Sequence, residues 1–336
     1  MKKIKVAQIG INQNSHSNEI FESVRSQSDI FEFVGFVFPE NEKERIPHKY
    51  ERVKDYPELT LEDVLSNPEI EAVIVETDEI YLTKYALLAA RANKHLHIEK
   101  PCGTSLSEFE ELISVIKRTG KVLHTGYMYR YNPYISDLIN RVKRGELGEI
   151  ISVEAQMNCF HTASTRQWLG TLEGGMMQFL GCHLIDLILL LQGAPERVIP
   201  LNKSTGLDGI SSKDFGMAVL EYKNGVSFSK ASAAELGGFE RRQLVVTGTK
   251  GTVELKPLER LTGIPYHVQT LKTFRQSTAW NSVSESELSP PFNRYDTMMR
   301  SFAEYVNGEK ENPYTPDYEL LLFKTILAAS GKDKLI

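Results

Sequence analysis

Between residues 4 and 125 the chain alternates short apolar runs with segments of helical period, and few folds accept that order. Residues 4–9 (IKVAQI), 31–38 (FEFVGFVF), 72–76 (AVIVE), 95–99 and 121–125 read as strands. Residues 17–25, the stretch LEDVLSN, residues 81–91 and the segment after Ser105 read as helices. Thr60 with Asp63, and Ser105 with Glu108, have capping-box spacing, and Gly120 is a helix stop. Strands alternating with helices predict a parallel, doubly wound α/β sheet. Such a sheet binds its ligand outside the carboxyl ends of the strands. Glu99-Lys100-Pro101 falls at one such end. An ammonium group there can polarise a carbonyl or share the proton of a substrate hydroxyl while hydride moves. The plain alternative is a strand-end lysine pointing into solvent.

After about residue 125 the pattern changes. Asn132-Pro133 opens a helix that ends at Gly145, residues 149–157 read as a long strand, and an apolar helix runs roughly from 176 to 191. Asn224-Gly225 between two strand-like runs is a hairpin signal, and Gly248-Thr249-Lys250-Gly251 separates two more. A last helix follows Pro316. The expectation is a mostly antiparallel sheet with helices on one face. Its other face needs a cover, which points to a homo-oligomer.

A length of 336 residues favours two domains. A net charge of -5 argues against a nucleic-acid partner, because phosphate binding needs a basic surface. No apolar run reaches the roughly 18 residues that a membrane span needs. Lys2 and Lys3 before an apolar segment imitate a signal peptide, but polar residues 12–15 cut that segment short. Cys102, Cys159 and Cys182 fit neither a disulfide framework nor a metal motif, so no metal is expected and the cytoplasm is the expected compartment.

The first loop reads Gly10-x-Asn12-x-x-Ser15, against the dinucleotide fingerprint Gly-x-Gly-x-x-Gly or Ala. Asn12 stands where the second glycine lets phosphate approach the backbone. Its amide either donates to a phosphate or fills that space. Taken as a whole, however, the chain resembles the glucose–fructose oxidoreductase / inositol dehydrogenase / MocA (Gfo/Idh/MocA) family. VAQIG, AVIVET, KYALLAARANKH, HIEKP, HTGYMYRYNP, RGELGEI, GGMMQFLGCHLIDL, VTGTKGTVEL and TPDYELLLFKTILAA occur in order and cover nearly all of it.

The resemblance implies a Rossmann NAD(P)-binding domain over residues 1–124. It implies an α+β domain with a large, mostly antiparallel open sheet over 125–336, serving substrate binding and oligomerisation. The C-terminal helix, about 318–329, is expected to pack back on the Rossmann domain. The implied activity is hydride transfer between nicotinamide and a sugar, cyclitol or related polyol, in a homodimer or homotetramer. Lys100 matches the family's active-site lysine and His183 its general base. His183 also suits that role chemically, since imidazole titrates near neutrality. Without the resemblance, His183 reads as a helix histidine bonded within the core. Met128, Tyr129 and Asn158 fall where the family contacts substrate, and His161 and Trp168 lie in a segment that either lines the same cleft or is only a loop. Gly10, Asn12, Ser15, Glu40, Thr77, Glu99 and Lys100 are the implied cofactor contacts. Tyr129 and Arg130 have the alternative of packing or surface residues, at least as fitting for Arg130, and Asp186 reads as a helix-packing or capping residue rather than a catalyst.

Four departures weigh against the match. Asn12 replaces a glycine. Phe38 stands where an acid normally binds the adenosine ribose, with Glu40 two residues late. No arginine sits at that strand end to meet a 2′-phosphate, so NAD is expected ahead of NADP. Thr77-Asp78-Glu79 brings two carboxylates toward a pyrophosphate. Phe179 replaces an acid four residues before His183. Two readings follow: an oxidoreductase using Lys100 and His183, or a non-catalytic family member acting as a ligand sensor or partner subunit.

Overall fold

The computed structural model describes residues 2–276 and 284–332. The chain divides into two compact units, Met1–Met128 with Tyr295–Leu320 and Tyr129–Arg294 with Leu321–Ile336. Residues 295–320, which the sequence reading assigned to the C-terminal domain, group with the first unit.

The first unit holds β1 (Ile4–Ile9), β2 (Phe31–Val37), β3 (Ala72–Val75), β4 (His95–Ile98) and β5 (Leu123–Thr125). They form one parallel sheet in the order β2-β1-β3-β4-β5. Around it run α1 (Ser17–Ser26), α2 (Glu42–Arg45), α3 (Pro47–Tyr50), α4 (Leu61–Ser66), α5 (Leu82–Arg91) and α6 (Leu106–Thr119). Thr60 and Asp63 close a full capping box on α4, and Gly120 ends α6 in the left-handed region. β3 is apolar and buried along its whole length, as a strand covered on both faces must be. The strand order reverses between β1 and β3, so Gly10 and residues 76–79 flank the switch point where such sheets bind ligands.

In the second unit α7 (Pro133–Lys143) starts at Asn132, whose side chain accepts from the amides of Tyr134 and Ile135. The strands are β6 (Ile150–Asn158), β7 (Arg197–Pro200), β8 (Phe215–Tyr222), β9 (Gly225–Ser232), β10 (Gln243–Gly248), β11 (Gly251–Leu255), β12 (Arg260–Leu261), β13 (His267–Gln269), β14 (Leu271–Arg275), β15 (Glu285–Leu288) and β16 (Phe292–Asn293). Eight of them make a sheet in the order β15-β14-β11-β10-β6-β9-β8-β7, antiparallel except where β6 meets β9. Both expected hairpins are present, pairing Tyr222 with Gly225 and Gly248 with Gly251. α8 (Ala163–Trp168) is capped by Thr162.

The apolar helix expected over 176–191 is two segments, a π-helical turn at Met177–Gly181 and then α9 (Cys182–Gln192). Apolar periodicity does not register the one-residue widening. Packing against β8 accompanies it: a Cβ added at Gly216 would stand 2.8 Å from the Cβ of Met177. Two helices complete the chain, α10 (Asp296–Val306) and α11 (Pro316–Ser330). Ser23 on α1 donates to Asp296 on α10 at 2.8 Å, and Thr125 donates to Glu319 in the first turn of α11 at 3.0 Å. Among the described residues no helix is long and apolar enough to cross a membrane.

Candidate active site

The nucleotide loop begins at Gly10, which has φ +93°. A Cβ there would lie 2.6 Å from the Thr77 amide nitrogen, so only glycine lets the two loops meet. The loop is bonded largely to itself. Asn12 Nδ2 donates to the Thr77 carbonyl at 2.9 Å, and its Oδ1 accepts from the Asn14 amide at 2.8 Å. The Asn12 amide group thus ties the two loops together. Ser15 Oγ donates to Glu76 Oε2 at 2.9 Å. The buried Lys49 reaches in from α3 and donates to the carbonyls of Asn12 and Ser15 at 2.5 and 2.7 Å. His16 makes no side-chain cap on α1, but Ser15 Oγ accepts from the amide of Ser17, its first residue, at 3.2 Å.

Carboxylates crowd this end of the sheet. Glu42 Oε2 accepts from the Ile11 amide at 3.1 Å, and burial pushes its carboxyl up to about 8. Glu79 is buried and raised by that burial to about 7, against the pull of Lys100. Burial, then the charge of Glu99, raises Glu76 well above the usual carboxylate range, and burial raises Glu99 while Lys100 opposes it. Lys100 Nζ lies 3.5 Å from Glu99 Oε1 and is only 4% exposed along its side chain, so the solvent-pointing alternative is excluded. Gly126 clears the space for Glu99, since a Cβ there would fall within 2.4 Å of Glu99 Oε2. Behind them, His97 and His124 face each other at 2.7 Å between their Nδ1 atoms, and burial drops His97 to about 3.

At the end of β2, Phe38 joins an aromatic cluster with Phe36 and Tyr50. Glu40 accepts from Lys84 Nζ and the Tyr85 hydroxyl, both at 2.7 Å, and these bonds hold its carboxyl below the usual value. Asp78 is paired with Arg45 at 2.8 Å, and Lys43 with Glu58 at 2.7 Å. The cations nearest that strand end are therefore matched to carboxylates already.

In the second unit the buried His183 sits on α9 with the Tyr129 ring edge-on at 5.2 Å. Tyr129 donates to Glu259 at 2.5 Å, and Glu259 also accepts from Arg242 at 2.8 Å and pairs with Arg294 at 2.6 Å. Burial pushes Glu259 up, but Arg294, Arg242 and Tyr129 outweigh it and hold the carboxyl below the usual range. Asn158 is fully buried at the end of β6, and neither its Oδ1 nor His161 Nε2 has a hydrogen-bond partner among the described residues. Burial, then the charge of Arg242, lowers the His161 pKa, so its ring is neutral. Phe179 meets the Trp168 ring edge-on at 5.0 Å and the His161 ring at 6.3 Å. Arg130 is buried and grips Asp186 with two nitrogens at 2.9 and 2.7 Å, which makes this pair structural and excludes a surface arginine. Met128 opens the short turn Met128–Tyr131.

Sequence reasoning missed Glu76, Lys49, Glu42, Arg242 and Glu259. The signal for Glu76 was a charge closing an otherwise apolar strand. The other four lie in ordinary mixed-charge segments. Among the described residues no group of three or more histidine, cysteine or acidic side chains is arranged to hold a metal ion.

A parallel, doubly wound sheet with a glycine loop at its switch point has the architecture of a dinucleotide-binding domain. Residues 4–127 match the family model for the oxidoreductase NAD-binding Rossmann fold, and residues 136–254 match the GFO/IDH/MocA C-terminal domain. The chain belongs to the Gfo/Idh/MocA family of oxidoreductases. Similarity to a 1,5-anhydro-D-fructose reductase of Ensifer adhaerens is 25% identity over 74% of this chain and 73% of that one. An uncharacterized oxidoreductase of Rhizobium meliloti is 27% identical over 58% of each chain, less than two thirds of its length. Among solved structures, an aldose-aldose oxidoreductase from Caulobacter crescentus, complexed with glycerol, superposes with TM-score 0.78 at 20% identity, covering 98% of this chain and 97% of that one. A 3-ketoreductase from Actinomadura kijaniata, in complex with TDP-benzene and NADP, gives TM-score 0.76 at 17% identity, covering 97% and 96%. At these identities the solved structures establish the fold.

Proposed function

We propose that this chain transfers hydride between a nicotinamide cofactor, NAD ahead of NADP, and a carbinol carbon of a sugar, cyclitol or related polyol. Lys100 and His183 are its working groups. The observation that carries the reading is Lys100, a buried ammonium at the carboxyl end of β4 with Glu99 as its counter-ion. The names of the anhydrofructose reductase and the aldose-aldose oxidoreductase support a sugar-like substrate. The residues at the switch point fit a dinucleotide: Gly10 leaves a cradle that a Cβ would fill at the start of a strand–loop–helix unit. The carboxylates at the β2 end, and the cations already paired there, favour a ribose hydroxyl over a 2′-phosphate.

When bound, the nicotinamide ring supplies the hydride acceptor or donor. In the oxidation direction Lys100 hydrogen-bonds the carbinol oxygen and stabilises its developing negative charge. His183 accepts the hydroxyl proton as the carbonyl forms, and returns it in reduction. Asn158 and Tyr129 orient the ring hydroxyls.

A second reading has its own support. The Phe179 side chain neither ionises nor hydrogen-bonds, and the Asn12 amide is engaged by Thr77 and Asn14. Both features suit a non-catalytic ligand sensor or partner subunit. Calorimetric titration with NAD⁺, NADH, NADP⁺ and NADPH separates the two. The proposal expects micromolar binding of the NAD pair. Folded protein, free of carried-over cofactor, that binds none of the four overturns it in favour of the sensor.

A further inference from the structure

Lys49 is a buried cation that the proposed chemistry leaves unused. It sits on α3, and its Nζ donates to the Asn12 carbonyl at 2.5 Å, the Ser15 carbonyl at 2.7 Å and the Ser17 hydroxyl at 3.2 Å. Three acceptors around one nitrogen call for the three N–H groups of an ammonium. Burial pulls its pKa down, and the charges of Glu19 and Glu76 oppose that. All three acceptors are uncharged oxygens, and the residues that carry them are themselves buried. The contact is returned, since Asn18 Nδ2 donates to the Lys49 carbonyl at 3.3 Å.

What this does to the loop follows from the planarity of the peptide unit. In a trans peptide the C=O and the next residue's N–H point to opposite sides. The Asn12–Gln13 and Ser15–His16 peptides are both trans. With their carbonyls drawn to Lys49, the N–H groups of Gln13 and His16 point away from it. Gln13 and His16 are the exposed residues here, while Asn12, Ser15 and Ser17 are buried. The amides of Ile11, Asn12, Asn14 and Ser17 are already given to Glu42, the Glu76 carbonyl, Asn12 and Ser15. Outward donation therefore falls to peptides outside that set. Backbone N–H groups presented on one side of a turn favour an anion, and an ammonium on their carbonyl ends strengthens them as donors.

We infer that Lys49 is a positioning residue of the dinucleotide site: by holding the Asn12 and Ser15 carbonyls from beneath, it aims the Gln13 and His16 N–H groups at the pyrophosphate. A second glycine would let the loop take its shape freely. With Asn12 in that place, the shape is set by Lys49 instead. The inference rests on the dinucleotide reading for the identity of the anion, and Lys49 acts through the loop backbone.

The test uses the full-length protein, with NADH as the probe. Lys49→Met keeps the length of the side chain without its charge, and NADH is expected to bind it about tenfold or more weakly. Without ligand, amide hydrogen exchange over residues 11–17 should quicken by about tenfold or more in that variant, while β3 and β4 keep their protection. Lys49→Gln is measured beside it, with the same direction expected, so that a second neutral variant covers a failure of the first to fold. Lys49→Arg keeps charge and donors, and should return NADH binding to within about threefold of the wild type. NADH affinity within about twofold of wild type in a folded neutral variant overturns the inference. So does unchanged exchange over 11–17, or a folded Lys49→Arg no better than the neutral variants. Exchange quickened equally across the whole sheet would make Lys49 a residue of the fold alone, and overturns it too. A wild type that binds none of NAD⁺, NADH, NADP⁺ and NADPH removes the dinucleotide reading and this inference with it. NADH held equally by wild type and neutral variant removes this inference only.

Discussion

The two units solve the problem of buried charge in opposite ways. At the switch point of the first, four buried carboxyl groups, Glu42, Glu76, Glu79 and Glu99, face two buried ammonium groups, Lys49 and Lys100. Desolvation keeps protons on part of that set, since isolated anions are costly in the interior. Around His183 in the second unit stand aromatic rings and the Asn158 amide, and Glu259 is kept ionised by two arginines. The first unit therefore holds a reserve of protons beside its lysine. The second holds a fixed positive field beside its histidine.

That contrast breaks first at Lys100. Lys100→Ala should lower kcat by about 10³–10⁴ while far-UV circular dichroism stays unchanged, because it removes the charge aimed at the reacting oxygen. Wild-type turnover in that variant would sink the proposed mechanism. Next comes Gly10→Ala. The φ of +93° and a contact of 2.6 Å to Thr77 should cost roughly 1–3 kcal/mol in chemical denaturation and weaken dinucleotide binding in parallel. Stability loss without weaker binding would remove Gly10 from the cofactor cradle.

Phe179→Asp sharpens the comparison from the other side. It places a carboxyl group near the neutral rings, so turnover of uncharged polyols should rise by up to about tenfold while acidic substrates lose affinity. Steady-state kinetics on matched neutral and acidic sugars reads both. The smallest effect is expected at Glu42→Gln. The folded-state pKa of Glu42, about 8, lies above its ordinary 4.5. Folded protein therefore holds a proton that the unfolded chain releases, and stability falls as pH rises between about 4.5 and 8. The melting temperature of the Gln variant should drop less between pH 5 and pH 8 than that of the wild type. An identical drop would show that Glu42 ionises normally.

Most of the first unit was legible because each strand is bounded by a signal with a local cause. The Thr60 capping box and the Gly120 stop act within four residues, as does the Asn224-Gly225 hairpin of the second unit. Of the candidate site, the sequence singles out Lys100 and His183, and both are buried. What escaped were groups made special by distant neighbours. Lys49 looks like a surface lysine until α3 folds over the loop, and Arg242 gains its meaning from Glu259 and Tyr129, which are 17 and 113 residues away. The grouping of residues 295–320 was hidden for the same reason: Asp296 is 273 residues from its partner Ser23.

The π-helical turn at Met177–Gly181 has a consequence of its own. A widened turn carries one residue more than the α-helix around it needs. Removing Leu180 would let the helix close to ordinary pitch with His183 held in place by α9. Every residue upstream would then rotate by roughly 100° about the axis, one residue's share of a turn. Phe179 would swing away from Trp168, and the wall it forms would be rebuilt from different side chains. A single codon in this turn is thus an indexing step, able to exchange the side chains that face Trp168 without moving His183.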